Sequence, residues 1–297
     1  MVFQQLINAL VFGSVLTLFS LGLSLAWGTL DVLNLAHGSI FVFAGFLAYE
    51  LTTHTSMPFV LVLVISMLGA GVISALLEIL AFRHVRSRFR IKRQAELSFL
   101  VVSIGASTII ETVVSNKTNN TPFAPAQSAF HVHSYHLGSA RITNIQIIIV
   151  VAAVIVAIAL DLWVRRSRQG RAVRAVAYDD VTAGLLGVNV NRVAVATMFV
   201  AGLLAGLAGV LLAINILGED VSVGEDYLLT AFAILIVGGV GSIRGAVVSA
   251  YLIAAAETAV VAWGPANWRD GVAFLLILII LLVRPQGLFA RRRYQRA

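Results

Sequence analysis

The sequence predicts an all-helical, polytopic membrane protein. Of its 297 residues, 59% are hydrophobic and 12% are charged, whereas soluble domains carry about 25% charged residues. The mean hydropathy is +0.94, and a soluble fold has no means of shielding so much apolar surface from water. Only helices and closed barrels satisfy their backbone hydrogen bonds within lipid. Long uninterrupted apolar runs favour helices over the alternating strands of a barrel.

The predicted fold is a transmembrane helical bundle with about eight or nine hydrophobic segments. A helix that crosses a membrane needs about 20 apolar residues, and nine apolar segments are candidates for such helices. In chain order they are 5–27, 36–53, 58–82, 96–114, 144–163, 193–215, 227–240, 245–262 and 270–284. Glycine and polar residues interrupt stretches 28–38 and 227–242. These interruptions predict discontinuous helices and a possible internal repeat, features typical of transporters.

Three blocks of basic residues predict the orientation, because cytoplasmic loops are enriched in Lys and Arg. The blocks are 83–93, 165–174 and 284–296. The opposite loops carry few basic residues, so the C-terminus is expected in the cytoplasm. If all nine segments cross, the N-terminus lies outside; a re-entrant segment would reverse that assignment.

The 115–143 loop is predicted to be extracytoplasmic. It contains His131, His133 and His136, and a metal site would need ligands that converge on one face. A solvated polar loop explains these histidines more simply. The chain has no cysteine, which excludes disulfides and thiolate metal sites.

Ionisable residues within the apolar segments need an explanation, because a charge at the centre of a span costs about 2.5–3.5 kcal/mol on insertion scales. Glu78 and Asp161 precede arginines by about one helical turn, which predicts structural ion pairs. Glu50, Glu111 and Glu257 lie toward the outer ends of their segments. They are expected either to be wet at the interface or to line an outer vestibule.

The first break, 28–39, places Asp31, Asn34 and His37 between two apolar runs, with a glycine on either side. Two interpretations fit. The break is a discontinuous helix whose end contacts a polar solute at membrane depth, or it is a simple cytoplasmic turn with Asn34 as a helix cap.

The second break, 238–245, contains Gly238, Gly239, Gly241 and Ser242 and is also followed by a long apolar run. Asn34, His37, Gly38 and these four residues are the candidates for the translocation pathway.

The 170–187 stretch predicts a short amphipathic helix in the cytoplasmic loop 164–192, ended by Gly187. Two roles fit such a helix: it lies among lipid headgroups, or it docks a cytoplasmic partner. Its polar and glycine positions are Gly170, Arg171, Arg174, Asp179, Asp180, Gly184 and Gly187.

Nucleotide hydrolysis is not expected from this chain. A phosphate-binding loop ends in Gly-Lys-Ser or Gly-Lys-Thr, and the only lysines, Lys92 and Lys117, do not follow glycine. An ATP-driven step would therefore need another chain.

Several motifs together resemble the permeases of branched-chain amino acid ABC importers. Gly22–Gly28 and Asp31–Gly38 are similar to the family's N-terminal signature, in the subunit type with an Asn-Leu-Ala-His-Gly stretch. The resemblance continues through 97–114, 169–188, 238–246 and 284–289. Arg244 stands where relatives often have proline, Arg83–Arg86 departs from their Arg-Pro-Leu-Arg, and the 115–143 loop has no counterpart.

The resemblance implies a single transmembrane permease domain over 1–297 in a bacterial inner membrane. In this family 170–187 would be the coupling helix that docks on two ATPase subunits, which bind ATP and magnesium; no cofactor is expected in this chain. A second permease subunit and an extracytoplasmic binding protein would complete the importer. Family substrates are branched-chain and other amino acids and, in relatives, urea or short amides.

Three rival functions remain at this stage. An ion-coupled secondary transporter would need an intramembrane acidic or sodium site, and the acidic groups here cluster toward one face. A membrane enzyme would need a convergent catalytic set, which the sequence does not offer. A structural or signalling subunit would need no ATPase partner.

Overall fold

The computed structural model is predominantly helical, as the composition predicts. It describes residues 2–88, 92–126, 130–137, 140–216, 218–265, 268–284 and 286–289. A π-helical turn, Glu78–Phe82, joins α3 to α4. The helices and strands are α1 (Val2–Leu30), α2 (Ala36–His54), α3 (Phe59–Leu77), α4 (Arg83–Arg88), α5 (Lys92–Thr118), β1 (Ser134–Leu137), β2 (Ala140–Thr143), α6 (Asn144–Arg166), α7 (Arg168–Tyr178), α8 (Asp180–Leu185), α9 (Val190–Ile216), α10 (Val223–Gly238), α11 (Ile243–Trp263) and α12 (Arg269–Val283).

Each of the nine predicted segments coincides with a helix, which confirms the polytopic helical bundle. Six helical stretches are long and apolar enough to cross a membrane: Val2–Leu30, Phe59–Arg88, Ala95–Thr118, Asn144–Arg166, Val190–Ile216 and Ile243–Trp263. α10 and α12 have only 16 and 15 residues, fewer than the roughly 20 that a full crossing needs. The predicted count of eight or nine is therefore approximate.

α1 and α9 form the centre of the bundle and are buried along most of their length. α1 packs against α9 and α11, while α9 also packs against α3 and α2. Small residues of α9 permit close approach to α3: a Cβ on Gly202 would lie 2.6 Å from the Ala70 carbonyl oxygen. The Ser74 hydroxyl donates a 2.7 Å hydrogen bond to the Met198 carbonyl, which ties the two helices together.

The bundle has two chemically distinct ends. At one, here called the hairpin end, β1 and β2 pair antiparallel, and the Arg141 N–H donates a 2.8 Å hydrogen bond to Gln4 at the start of α1. At the other, the basic end, lie α4, α7 and α8 with their arginines. α1 starts at the hairpin end, and α6 likewise runs from the hairpin to the arginines, so these two helices run in the same direction.

The chain between α1 and α2 turns back into the bundle. Val32 and Asn34 of this segment are fully buried, and Asp31 adopts a left-handed φ of 52° at the turn. As a result, α2 begins beside the middle of α1: the His37 ring lies 4.8 Å from the Phe19 ring. The connection between α1 and α2 is therefore buried in the bundle and is not the simple cytoplasmic turn that was the second interpretation of this break.

Candidate functional site

Asn34 and His37 lie at the buried start of α2. The Asn34 side-chain oxygen accepts a 3.1 Å hydrogen bond from the N–H of Ala36, the first residue of α2, a donor that the helix itself leaves free. His37 Nε2 lies 3.2 Å from the Phe19 carbonyl oxygen, which fixes the ring against α1. Asn34 Nδ2 and His37 Nδ1 are buried with no hydrogen-bond partner in the described chain. The first break is thus buried within the bundle, and Asn34 binds the first N–H of the helix that follows it.

Gly38 brings the start of α2 into contact with the start of α10. A Cβ on Gly38 would overlap the Gly224 carbonyl oxygen, and one on Gly224 would lie 2.6 Å from the Gly38 carbonyl oxygen. Phe41 and Tyr227, one turn further along each helix, stack with ring centroids 5.3 Å apart. Two helices that each begin within the bundle therefore meet at their N-termini, without side chains between the backbones.

This junction lies near the middle of the bundle. The hydroxyl oxygens of Ser39 and Ser107 are 3.0 Å apart. Ser107 lies about 16 Å along the axis from the Thr118 end of α5 and about 22 Å from its Lys92 start, at about 1.5 Å per residue. The predicted discontinuous helices therefore correspond to α2 and α10, whose first residues meet at about half the height of α5.

The second predicted break is the connection between α10 and α11. Gly239 and Gly241 adopt φ values of 92° and 76°, which L side chains rarely adopt. Ser242 accepts a 3.1 Å hydrogen bond from the Gly245 N–H and caps α11. Gly241 packs directly on Gly28 near the end of α1. The two glycine-rich breaks therefore touch at the basic end.

The C-terminal segment covers this connection. The Leu288 N–H donates a 2.8 Å hydrogen bond to the Val237 carbonyl, and the Phe289 N–H donates one of 3.1 Å to the Gly238 carbonyl. Gly287, with a φ of 82°, packs on Gly239. These bonds satisfy carbonyls that the end of α10 would otherwise leave free. Residues 291–296, which supply most of the last basic block, lie outside the described residues.

The structure separates the pathway candidates into two groups. Asn34, His37 and Gly38 lie at the mid-depth junction, while Gly238, Gly239, Gly241 and Ser242 lie at the basic end. Of these, Gly241 is exposed and Ser242 half-buried; the others are buried. Their part in translocation stays a prediction.

The predicted amphipathic helix over 170–187 is two helices, which corrects the sequence interpretation. α7 and α8 are separated at Asp179, whose extended backbone interrupts the first helix and whose carboxylate accepts a 2.9 Å hydrogen bond from the Thr182 N–H. The side chain thus starts a new helix with Asp180 as its first residue. Gly187, with a φ of 87°, follows α8 as expected of a residue that ends a helix.

α7 is fixed against the basic end of α6. Ser167 accepts a 2.8 Å hydrogen bond from the Gly170 N–H and caps α7. A Cβ on Gly170 would overlap the Trp163 and Val164 carbonyl oxygens, so only glycine permits this crossing. Arg174 donates to the Val164 carbonyl, whereas Arg171 and Gly184 are exposed.

α8 and the residues on either side of it present an apolar surface to the outside of the chain. Four side chains, here called the α8 patch, are strongly exposed: Tyr178 (78%), Val181 (69%), Leu185 (85%) and Leu186 (81%). They lie in a connection that is otherwise rich in arginine. Exposed apolar groups beside charged ones mark a surface for a protein or membrane partner.

Two carboxylates within the helices, Glu78 and Asp161, form ion pairs with arginines. Glu78 is paired with Arg86 at 3.0 Å, two turns away, rather than with Arg83. Asp161 binds Arg165 at 2.8 Å and lies 3.6 Å from Arg244. These pairs agree with the predicted structural roles.

Glu257 lies neither at a wet interface nor in an open vestibule, the two positions predicted for it. Its side chain is 1% exposed and forms a 2.9 Å ion pair with Arg269 at the start of α12. The Arg269 guanidinium also lies 4.7 Å from the centre of the Phe12 ring. The sequence showed the apolar surroundings of Glu257 but not the arginine that folding brings to it from another helix.

Two other carboxylates stay accessible at or near mid-depth. Glu111 of α5 is half-buried, and its Oε1 accepts a 2.6 Å hydrogen bond from Ser107. Glu225, in the first turn of α10, is exposed next to the Gly38–Gly224 contact. Both lie on helices that flank the start of α2.

Glu219 was not singled out by the sequence. It is fully buried between α9 and α10, and neither carboxylate oxygen has a hydrogen-bond partner in the described chain. Its backbone pairs with Phe123 through N–H···O bonds of 2.9 and 2.8 Å. Burial raises the pKa of the Glu219 carboxyl well above its ordinary value. Only the acidic composition of this connection hinted at the residue.

No metal centre is formed by the residues that the structure describes. Groups of three potential ligands are absent from them, and His131, His133 and His136 are exposed along the β-hairpin and its approach.

Comparison with known proteins gives a consistent assignment. Residues 5–281 match the family described as branched-chain amino acid transport system, permease component. The chain is 30% identical to the high-affinity branched-chain amino acid permease LivH of Salmonella typhimurium, covering 97% of this chain and 95% of that protein. Identity and coverage are the same for BraD of Pseudomonas aeruginosa. The probable LivH of Methanocaldococcus jannaschii is 25% identical, covering 95% of this chain and 90% of that protein.

Proposed function

The chain belongs to the branched-chain amino acid transport permease family, and from that premise we propose that it forms the translocation pathway of an ATP-driven importer of branched-chain or related amino acids. The observation that carries this proposal is the α8 patch. Four apolar side chains stand out from an arginine-rich connection at one end of a membrane bundle. A subunit that receives force from a cytoplasmic ATPase needs such an exposed, firmly held contact.

The packing of α7 supports a mechanical role. α7 is held against α6 by the Gly170 crossing and by Arg174 on the Val164 carbonyl. α7 also contacts α1 and α9, the central helices. A displacement of α8 by a bound ATPase would therefore pass through α7 into the centre of the bundle.

The expected assembly contains two ATPase subunits, which bind ATP and magnesium, a second permease subunit, and an extracytoplasmic binding protein. The basic end faces the cytoplasm in this proposal, because arginine-rich ends remain inside. The C-terminus then lies inside and the β-hairpin outside, where the binding protein delivers its amino acid.

The test uses the complex co-expressed with its ATPase, second permease and binding protein. Leucine-loaded binding protein is expected to stimulate ATP hydrolysis and leucine uptake. The double variant Leu185→Ala, Leu186→Ala is expected to weaken ATPase binding about tenfold or more, since burying a leucine side chain contributes about 1.5–3 kcal/mol and about 1.4 kcal/mol is a tenfold change in affinity.

The matched control is Val151→Ala, Ile155→Ala, which truncates two exposed apolar residues of α6 away from α8. It should leave ATPase co-purification unchanged. Uptake that continues without any bound ATPase and stops with an ionophore would replace this proposal with an ion-coupled transporter.

A further inference from the structure

α5 differs from the other exposed long helices in what it presents to the outside. α3, α5 and α6 all expose most of their surface. The outer face of α6 is apolar, with Val151, Val154, Ile155 and Ile158 exposed, as lipid requires. α5 instead exposes Gly105, Thr108 and Thr112 among its apolar residues, and its spanning window is the less apolar of the two.

α5 is also attached on one side only. Its principal contact is with α2, with smaller contacts to α4 and the π-helical turn among the described residues. The hydroxyls of Thr108 and Thr112 bond back to the Ile104 and Thr108 carbonyls. These threonines are therefore tolerable in lipid. Whether this side of α5 faces lipid or water is decided by a charged group instead.

That group is Glu111, one turn from Ser107. Ser107 lies 2.6 Å from Glu111 Oε1 and 3.0 Å from the buried Ser39 hydroxyl. The other carboxylate oxygen, Oε2, has no hydrogen bond within the part of the chain that the structure describes. Glu111 therefore keeps an acceptor available at the edge of the mid-depth junction.

Lipid is a poor covering for this carboxylate. Glu111 lies about 10 Å along the axis from the Thr118 end of α5, inside the span. Arginines form ion pairs with Glu78 and Glu257, whereas in the described part of the chain Glu111 has a hydrogen bond from Ser107 and no ion pair. Intramembrane charges without such pairing usually face a water-filled cavity or another chain.

We propose that the Glu111 side of α5, with Thr108 and Thr112, lines the aqueous path between this chain and a second permease subunit, and that Glu111 receives the ammonium group of the transported amino acid. This inference rests on the proposed importer function and assigns its substrate contact. A carboxylate complements an ammonium group and gives no comparable advantage to a neutral amide such as urea. Membrane transporters commonly bind substrate near the bilayer midplane beside interrupted helices, which is where Ser39 connects α5 to α2.

The first experiment measures water access in the assembled complex. The chain has no cysteine, so Thr108→Cys and Thr112→Cys each introduce one thiol, and intact-mass analysis of this chain reads its modification by a positively charged methanethiosulfonate. Both are expected to react, and excess leucine-loaded binding protein with ATP is expected to slow the reaction. Val151→Cys and Ile155→Cys on α6 are the matched controls and should stay unmodified.

The second experiment tests the charge. Glu111→Gln is expected to reduce leucine uptake at saturating loaded binding protein by at least about tenfold, the loss typical of a hydrogen bond to a charged group, and Glu111→Asp is expected to recover part of it. Co-purified ATPase serves as the check that the complex has assembled.

The outcomes separate the two proposals. Unmodified thiols at 108 and 112 in a complex that transports leucine would overturn the inference, as would full uptake by Glu111→Gln; in both cases the importer function would stand. A wild-type complex that neither transports amino acids nor hydrolyses ATP in response to binding protein would instead overturn the proposed function.

Discussion

At Gly38, a hydrogen atom in place of a side chain allows α2 to begin directly against α10. The neighbouring backbone belongs to Gly224, so no side chain can rotate away to make room for a larger residue. Replacing Gly38 must therefore displace one helix start relative to the other, and this junction is where the two discontinuous helices meet.

Gly38→Ala is expected to destabilise the fold by about 1–3 kcal/mol, the usual cost of forcing an extra group into a packed core. The measurement is the thermal unfolding midpoint of the detergent-solubilised subunit. Gly271→Ala in α12 is the control, because a Cβ there meets only Trp268, at an ordinary 3.9 Å. Equal midpoints for the two variants would contradict this expectation, because they would show that the start of α2 can accommodate a methyl group beside Gly224.

Glu219 has a different energetic problem, since its carboxylate is buried without a partner. Burial disfavours the charged form and raises the pKa of the folded carboxyl, whereas the unfolded chain ionises it at an ordinary pKa. Between these two pKa values the folded state binds more protons. Stability therefore falls as pH rises above the ordinary value of 4.5.

Glu219→Gln is expected to remove this loss. Its unfolding midpoint should match that of the wild type near pH 5 and exceed it by about 2 °C or more near pH 8, since about 1 kcal/mol shifts midpoints by roughly 2–4 °C in chains of this order. A difference that is independent of pH would indicate that the buried carboxyl does not titrate in this range.

Among the elements, α7 and α8 illustrate which features could be predicted from the sequence and which could not. The amphipathic pattern of 170–187 correctly predicted a buried apolar face, which Val173 and Val176 form, and Gly187 correctly predicted the end. The spacing did not predict the division at Asp179, because the same residue is tolerable within a helix and favourable as a cap. Whether Asp179 continues a helix or starts a new one depends on the turn that the chain makes after α7 packs on α6.

Gly170→Val is expected to impair uptake and the ATPase stimulation that accompanies it, because its side chain would overlap the carbonyl oxygens of Trp163 and Val164 and displace α7 from α6. Uptake and stimulated ATPase should fall about tenfold or more, the effect of about 1.4 kcal/mol, while the amount of subunit in the membrane stays constant. Gly187→Val should act likewise, since valine resists a φ of 87°. Gly271→Val is the control, and wild-type uptake by Gly170→Val would refute the coupling role.

The broken segments were predictable as breaks but not as a junction. Glycine and polar residues between apolar runs indicated interruptions at 28–38 and 238–245. Nothing in the spacing indicated that Gly38 meets Gly224, or that Gly28 meets Gly241, because both contacts join residues far apart in the chain. For the same reason Arg269 was not predicted as the partner of Glu257.

For the whole molecule, composition was sufficient to predict a helical membrane bundle, since no other fold class accommodates so many long apolar runs. The order of helices from the centre outward was not predictable. α1 and α6 are both long apolar runs, yet α1 is buried in the centre and α6 is mostly exposed.

The β-hairpin lies at one end of the bundle and the α8 patch lies at the other, which gives a topological prediction. Ser134→Cys in the β-hairpin should react with an impermeant maleimide in intact cells, and Tyr178→Cys at the α8 patch should react only after permeabilisation. The unsubstituted chain, which has no cysteine, is the blank. The reverse pattern would place the basic end outside and exclude ATPase docking at α8.

The central position of α1 has a consequence for biogenesis. Its principal partners, α9 and α11, end at Ile216 and Trp263, so α1 leaves the ribosome long before they exist. At about 5–20 residues per second, the first helix waits for tens of seconds without its permanent neighbours. An apolar surface on every side suits that interval, because lipid or the insertion machinery can shelter the helix until the later ones displace them. The innermost helix of the finished subunit is therefore the one that contacts lipid or the insertion machinery for longest during synthesis.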